Sequence, residues 1–179
     1  MADSWPVPRL PGLTGAGHGT PVYRTIVVGT DGSTTADKAV DVAGELARAC
    51  GAALHVVTAY PPVRSAVLAG AGAAGGGLGP GFGGTFAAPA WLGDDQRVAA
   101  EEVVRQAGER LAQVGVGANT VARLGEPADA LLATAEEVGA DLIVVGNRGM
   151  TGVRRYLLGS VADRVAHHAH CSVHIAHTC

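Results

Sequence analysis

Residues 141–164 read "DLIVVGNRGMTGVRRYLLGSVADR". The first six are a short apolar, β-branched run, the pattern of a strand buried on both faces. A loop carrying Gly149, Gly152, Arg148, Arg154 and Arg155 follows, and Gly159 and Ser160 open a helix. Glycine loses more backbone entropy on ordering than any other residue, so such a cluster needs a physical reason. Gly146 lets a bound group approach the strand end. Gly149 and Gly152 permit positive φ, which turns successive N–H groups into a concave anion nest. Gly159 allows close approach before Ser160, whose hydroxyl can cap the helix or contact an oxyanion. The helix's first turn adds free N–H donors and the positive end of its dipole. No acidic residue stands between Leu142 and Ala162, so the local field is positive and the loop suits phosphate. It is not a Walker loop, which needs Gly-Lys-Ser/Thr, because the only lysine is Lys38. Nor is it the Gly-x-Gly-x-x-Gly dinucleotide fingerprint, which belongs after a first strand.

Outward from this stretch the same alternation recurs. "TIVVG" (25–29) predicts a buried strand, and Ser33 caps a helix reaching Cys50, with Gly51 placed for its C-terminus. "ALHVVTAY" (53–60) is a second strand. Asp94 and Asp95 begin a helix through Val103/Val104, Ala107, Leu111 and Val114, with Glu101–Arg105 and Arg105–Glu109 pairs on its surface. "NTVARL" (119–124) is a third strand, and Pro127 opens a helix that ends at Gly139 and buries Leu131, Leu132, Ala135 and Val138. "SVHIA" (172–176) is the fifth strand, an edge. Strands alternating with helices mean βαβ units and a parallel sheet. The expectation is one α/β domain with five parallel strands in the flavodoxin-like, Rossmann-like order 3-2-1-4-5 and helices on both faces. Ligands bind such sheets beyond the strand carboxyl ends where the order reverses, here between strands 1 and 4. "GTDGS" (29–33) leaves strand 1 and faces the glycine-rich loop across that crevice.

The bulk properties bound the function. A chain of 179 residues with net charge −3 has no global basic field for nucleic acid, and no apolar run is long enough to span a membrane. The start lacks a basic then apolar leader pattern, and three cysteines at wide spacing suit reduced thiols, so a cytoplasmic setting is expected. Residues 1–21 are Pro/Gly-rich and aperiodic and read as a disordered tail before a domain over 22–179. A glycine-rich segment at 63–92 reads as a flexible insertion, or as a lid over the crevice anchored by Phe82, Phe86 and Trp91. Of His167, His168, His170, His174 and His177, the adjacent first two point in different helical directions, and no i,i+4 histidine pair completes a metal ligand set.

Gly146-x2-Gly149-x9-Gly159-Ser160 resembles the nucleotide-binding signature of the universal stress protein A family, in its ATP-binding branch. "VVGTDGS", "LHVV" and "GEPADALL" are also similar to that family, and the resemblance spans Tyr23 to His177 outside the insertion. It implies a Rossmann-like fold, adenine-nucleotide binding and a homodimer made by the last strand. By resemblance, Gly29, Thr30 and Asp31 form the strand 1 side, with Asp31 near ribose or a phosphate-bound Mg. Val56 is the strand 2 position whose backbone reads adenine. Gly146, Arg148, Gly149, Gly159, Ser160 and Val161 form the phosphate cradle. The insertion and the extra Gly152 depart from the family pattern. Relatives with "VVGTDGS", "VVGN" and a C-terminal "HT" prefer cyclic AMP, so cyclic AMP and AMP stand beside ATP as ligands.

Simpler uses compete for the same residues. Ser160-x-x-Asp163 is a capping-box pattern, Asp-Gly is a common turn dipeptide that accounts for Asp31, and Arg154 and Arg155 suit a solvated surface. The sequence reads as a nucleotide-binding stress regulator or sensor with protein partners yet to be identified and no assigned catalytic residue. A slow ATP hydrolase and a dimeric interaction module without a working site are the rivals. A phosphoreceiver is set aside, because strand 3 ends in "RLGE" without the required aspartate.

Overall fold

The computed structural model describes residues 22–62, 91–147 and 159–178, and no side chains at 91–93. The expected tail (1–21), residues 63–90 of the insertion and loop residues 148–158, with Arg148, Gly149, Gly152, Arg154 and Arg155, lie outside the described residues.

Strands β1 (Thr25–Gly29), β2 (Ala53–Tyr60), β3 (Asn119–Leu124), β4 (Leu142–Gly146) and β5 (Ser172–Ala176) alternate with helices α1 (Thr34–Cys50), α2 (Trp91–Gln113), α3 (Pro127–Glu137) and α4 (Ser160–His168). All pairings are parallel and the sheet order is β3-β2-β1-β4-β5, as the sequence predicts. Alternation along each strand divides the core in two. Ile26, Val28, Leu54, Val56, Leu142 and Val144 pack against Val40 and Ala43 of α1 and Val104 and Leu111 of α2. Val27, Val57, Ile143 and Val145 face Leu131 and Ala135 of α3 and Ala162 and Val165 of α4. Both faces are covered, which is why the central strands are continuous apolar runs rather than alternating ones.

Local signals account for the helix ends. The Ser33 hydroxyl accepts from the Ala36 N–H at 3.2 Å and caps α1, and Gly51 closes it at φ 65°. Pro127 sits in the first turn of α3, where its missing N–H costs nothing. Asp141 shapes the opposite rim of the sheet: its Oδ2 accepts from the main-chain N–H groups of Arg24 at 2.7 Å and Thr25 at 3.0 Å.

Several details differ from the expectation. Helix α2 starts at Trp91, three residues before Asp94, so the insertion's last two residues are helical. Glu101 pairs with Arg97 at 2.5 Å, while Arg105 takes Glu102 and Glu109. Arg97 lies one turn earlier, and Glu102 offers Arg105 an i,i+3 partner. Val114 is 65% exposed because the helix has ended before it. Helix α3 stops at Glu137 with Val138 as its C-cap, and Leu132 and Val138 are only partly buried at the core margin.

Candidate functional site

The β1–β4 register pairs Val28 with Val144, so Gly29, the last residue of β1, stands level with Val145, one residue short of Gly146 at the end of β4. From there the chain departs to opposite faces, through α1 on one side and α4 on the other. A crevice at the carboxyl rim is the geometric consequence.

The β1 side is a tight turn. The Thr30 N–H donates to the Val57 carbonyl at 2.9 Å and holds the turn against β2. Its Oγ1 accepts from the Gly32 N–H at 3.2 Å, and Thr30 is buried. Gly32 has φ +74°, a conformation that favours glycine. Asp31 is exposed, and its Oδ1 accepts from the Ser33 N–H at 3.0 Å and the Ser33 hydroxyl at 2.5 Å. The carboxylate therefore makes the Asx turn that composition suggests and still faces outward at the rim. Gly29 has a packing reason: a Cβ there would lie 2.8 Å from Leu131 Cδ1.

The β4 side begins at Gly146 and Asn147 and resumes at Gly159. The Gly159 N–H donates to the Asn147 carbonyl at 3.1 Å, so the two described ends of this connection meet. Gly159, not Ser160, is the N-cap of α4, and among the described residues no side chain caps the helix. The capping-box expectation for Ser160 and Asp163 is thus not met: Ser160 is already the first helical residue, one position too late for its hydroxyl to reach back over the first turn. The exposed hydroxyl and the first-turn N–H groups of Ser160, Val161 and Ala162 are left at the rim. Donors and a positive dipole end gathered with no side-chain acceptor among the described residues fit an anionic group. Val56 lies deeper, fully buried four residues before the end of β2 and in register with Val28 and Thr120.

The sequence reading missed Asn147, whose side chain accepts from Thr178, and Lys38, whose amine donates to the Thr178 carbonyl at 3.1 Å. No spacing signal links three positions so distant in the chain. His55 on β2 is half-buried, and burial pushes its pKa below the ordinary histidine value. A separate groove of about 560 Å³ runs between α3 and α4, lined by Asp129, Glu136, Arg164, His167, His168 and His170 among others. It contains none of the rim residues. Among the described residues no group of three or more His, Cys, Asp or Glu side chains could hold a metal ion, and no helix is long and apolar enough to cross a membrane.

A doubly wound parallel sheet with an anion-suited rim at its switch point defines a class of small-ligand-binding α/β proteins. Comparison with known proteins narrows that class. The universal stress protein family model matches residues 22–77 and 82–177. The chain is 37% identical over 162 residues to universal stress protein Rv1636 of Mycobacterium tuberculosis, covering 87% of this chain and 97% of that protein. A universal stress protein solved in complex with cAMP is similar, at 34% identity and TM-score 0.61, over 88% of this chain and 98% of that one. The universal stress protein of Archaeoglobus fulgidus, solved in complex with dAMP, has 26% identity and TM-score 0.58, over 85% of this chain and 96% of that one. This chain belongs to the universal stress protein family.

Proposed function

We propose that this protein binds an adenine nucleotide at the β1–β4 rim and acts as a regulator or sensor in a stress response. The observation that carries this reading is the start of α4, where among the described residues no side chain caps the first-turn donors or the Ser160 hydroxyl, following a strand that neighbours β1 and its Asp31 turn. The phosphates would lie on Gly146, Gly159, Ser160 and Val161, with Arg148 and Gly149 of the intervening loop completing the cradle. Gly29, Thr30 and Asp31 would border the ribose, and the base would lie on the β2 side, towards Val56. ATP is the first ligand on the strength of the Gly-x2-Gly-x9-Gly-Ser signature. Cyclic AMP is the second reading, favoured by the 34% identical relative solved with cAMP.

Mg would enter with a phosphate chain, held by the Asp31 oxygen that is not turned to Ser33. Occupancy would act by shifting a population between two surfaces offered to a protein partner, which requires different affinity for the two states. A homodimer through the outer edge of β5 fits the same reading.

Mass spectrometry of ligand released from natively purified protein, followed by calorimetry with ATP, cyclic AMP and AMP, tests the proposal. Micromolar or tighter binding of one of them that weakens in Ser160→Ala supports it. A folded protein that binds none of the three leaves the interaction-module reading in its place.

A further inference from the structure

The chain does not leave the fold after β5. Thr178 is 2% exposed, and both its N–H (3.0 Å) and its hydroxyl (2.6 Å) donate to Asn147 Oδ1. An amide oxygen has two acceptor positions, and Thr178 fills both. The Thr178 carbonyl accepts from Lys38 Nζ of α1 at 3.1 Å. Asn147 is equally committed through its main chain: its N–H donates to the Ala176 carbonyl at 2.9 Å, and its carbonyl accepts from the Gly159 N–H at 3.1 Å. Gly159 is the N-cap of α4. One asparagine thus joins the end of β4, the start of α4 and the segment following β5, while Lys38 ties that segment to α1.

A buried hydroxyl with a short, correctly directed bond holds one geometry, because breaking the bond leaves both groups unsatisfied away from water. The groups it holds are those at the neck of the β4–α4 connection. We propose that the Thr178–Asn147 pair, tethered through Lys38, is a positioning device for the nucleotide site: it fixes the spacing between Asn147 and Gly159, and with it the aim of the first-turn donors of α4. Asn147 and Thr178 are then positioning residues that touch no ligand. Preorganisation of this kind strengthens binding by reducing the ordering that the ligand must otherwise impose. The inference rests on the adenine-nucleotide reading of the same rim.

The test compares Thr178→Val, Thr178→Ser, Asn147→Ala and the double variant Asn147→Ala/Thr178→Val. Affinities for ATP and cyclic AMP are measured by calorimetry, and protection of the Gly159 amide by hydrogen exchange. Valine keeps the buried volume and removes only the hydroxyl; serine keeps the hydroxyl. The expected result for Thr178→Val is about tenfold weaker binding, the equivalent of roughly one hydrogen bond. Serine should restore wild-type affinity, a rescue that lost packing volume alone would not produce. The double variant should bind no more weakly than Asn147→Ala, because both changes break the same pair. Wild-type affinity in folded Thr178→Val, or additive losses in the double variant, overturns the proposal. Should Thr178→Val not fold, Asn147→Ala carries the same measurement. If the wild type binds no adenine nucleotide, the functional reading fails separately. The device is then judged on Gly159, where about tenfold faster exchange in Thr178→Val supports it and unchanged exchange refutes it.

Discussion

Replacing Gly29 by alanine adds one methyl group to the end of β1, at a place where the structure leaves no room for it. The new Cβ would stand 2.8 Å from Leu131 Cδ1, 3.2 Å from Cδ2 and 3.4 Å from Cγ. Leu131 is 3% exposed and packs among Val27, Val57, Ile143 and Val145, so its methyls can turn away only by displacing other core atoms. Overpacking of this kind costs about 1–3 kcal/mol. Taking about 1.5 kcal/mol for a side chain that can partly yield, the melting temperature should fall by about 3–6 °C. Leu131→Ala alone opens a cavity and should cost about 2–5 kcal/mol. In the double variant the added methyl enters that cavity, so the two costs should fall short of their sum by about 1–2 kcal/mol. Urea denaturation followed by circular dichroism gives all four stabilities. A Gly29→Ala variant as stable as wild type, or additivity within about 0.5 kcal/mol, would refute the packing explanation. The double variant also separates Gly29's two suggested roles: relieved packing with restored nucleotide affinity marks Gly29 as structural, whereas relieved packing with lost affinity marks ligand contact.

Ser33→Ala removes the α1 cap and the hydrogen bond that the hydroxyl donates to Asp31, leaving the main-chain one; it should cost about 1 kcal/mol, and an unchanged thermal midpoint would contradict the cap. Two main-chain N–H bonds hold the Asp141 carboxyl below its ordinary pKa. A folded pKa lower than the unfolded one gives stability that is complete above the unfolded value, about 4, and lost as pH falls through the folded one. The acid limb of stability against pH should therefore be shallower in Asp141→Asn, and equal slopes would remove Asp141 from the account. On β5, the Ser172 N–H donates to the Asp141 carbonyl and the Ala176 carbonyl accepts from Asn147, so alternation turns the Val173 main chain to the outer edge. Val173→Pro should then leave the fold intact and convert a dimer to a monomer in light scattering; a monomeric wild type at micromolar concentration would end the dimer proposal. ATP should turn over more slowly than about 0.01 per second, because Asp31 has one oxygen committed to Ser33 and cannot both hold a metal and orient water. Turnover near 1 per second, abolished in Asp31→Asn, would make the protein an enzyme.

What could be read from the sequence divides along a physical line. Strand boundaries and order were legible because each central strand is buried on both faces and must be apolar throughout, as in Leu142–Val145 and Ile26–Val28. The α1 ends were legible because a cap acts over three or four residues, the range over which Ser33 and Gly51 make their bonds. The rim loops were legible as a pair only through topology, since the turn carrying Asp31 leaves β1 and the connection to Gly159 leaves β4, which are neighbours in the sheet. Elsewhere, local patterns misled where two geometries competed within one turn. Ser160 carries the residue types of a capping box, yet the helix starts on it rather than after it, and the cap passes to Gly159. Glu101 has two arginines at four-residue spacing, and the structure chooses Arg97 while Arg105 turns to Glu102 and Glu109.

Asn147 shows why the remaining part of the site stayed hidden. In sequence it is a polar residue after a strand, with nothing to distinguish it from a loop asparagine. Its partner Thr178 is 31 positions away, and Lys38, which completes the contact, is 140 positions from Thr178. Such a contact is created by β5 returning parallel to β4 and ending level with it, Ala176 opposite Gly146. Only after that register is set do the residues one and two steps beyond the strands come within hydrogen-bond reach. The cradle motif names the groups that would face a nucleotide, whereas the sheet register determines which groups hold them there. A variant series confined to the glycine motif would therefore sample ligand contact and miss positioning, and the two should separate in measurement. Loss of a contact at Ser160 weakens binding and leaves Gly159 exchange unchanged, whereas loss at Thr178 should weaken binding and release Gly159 together.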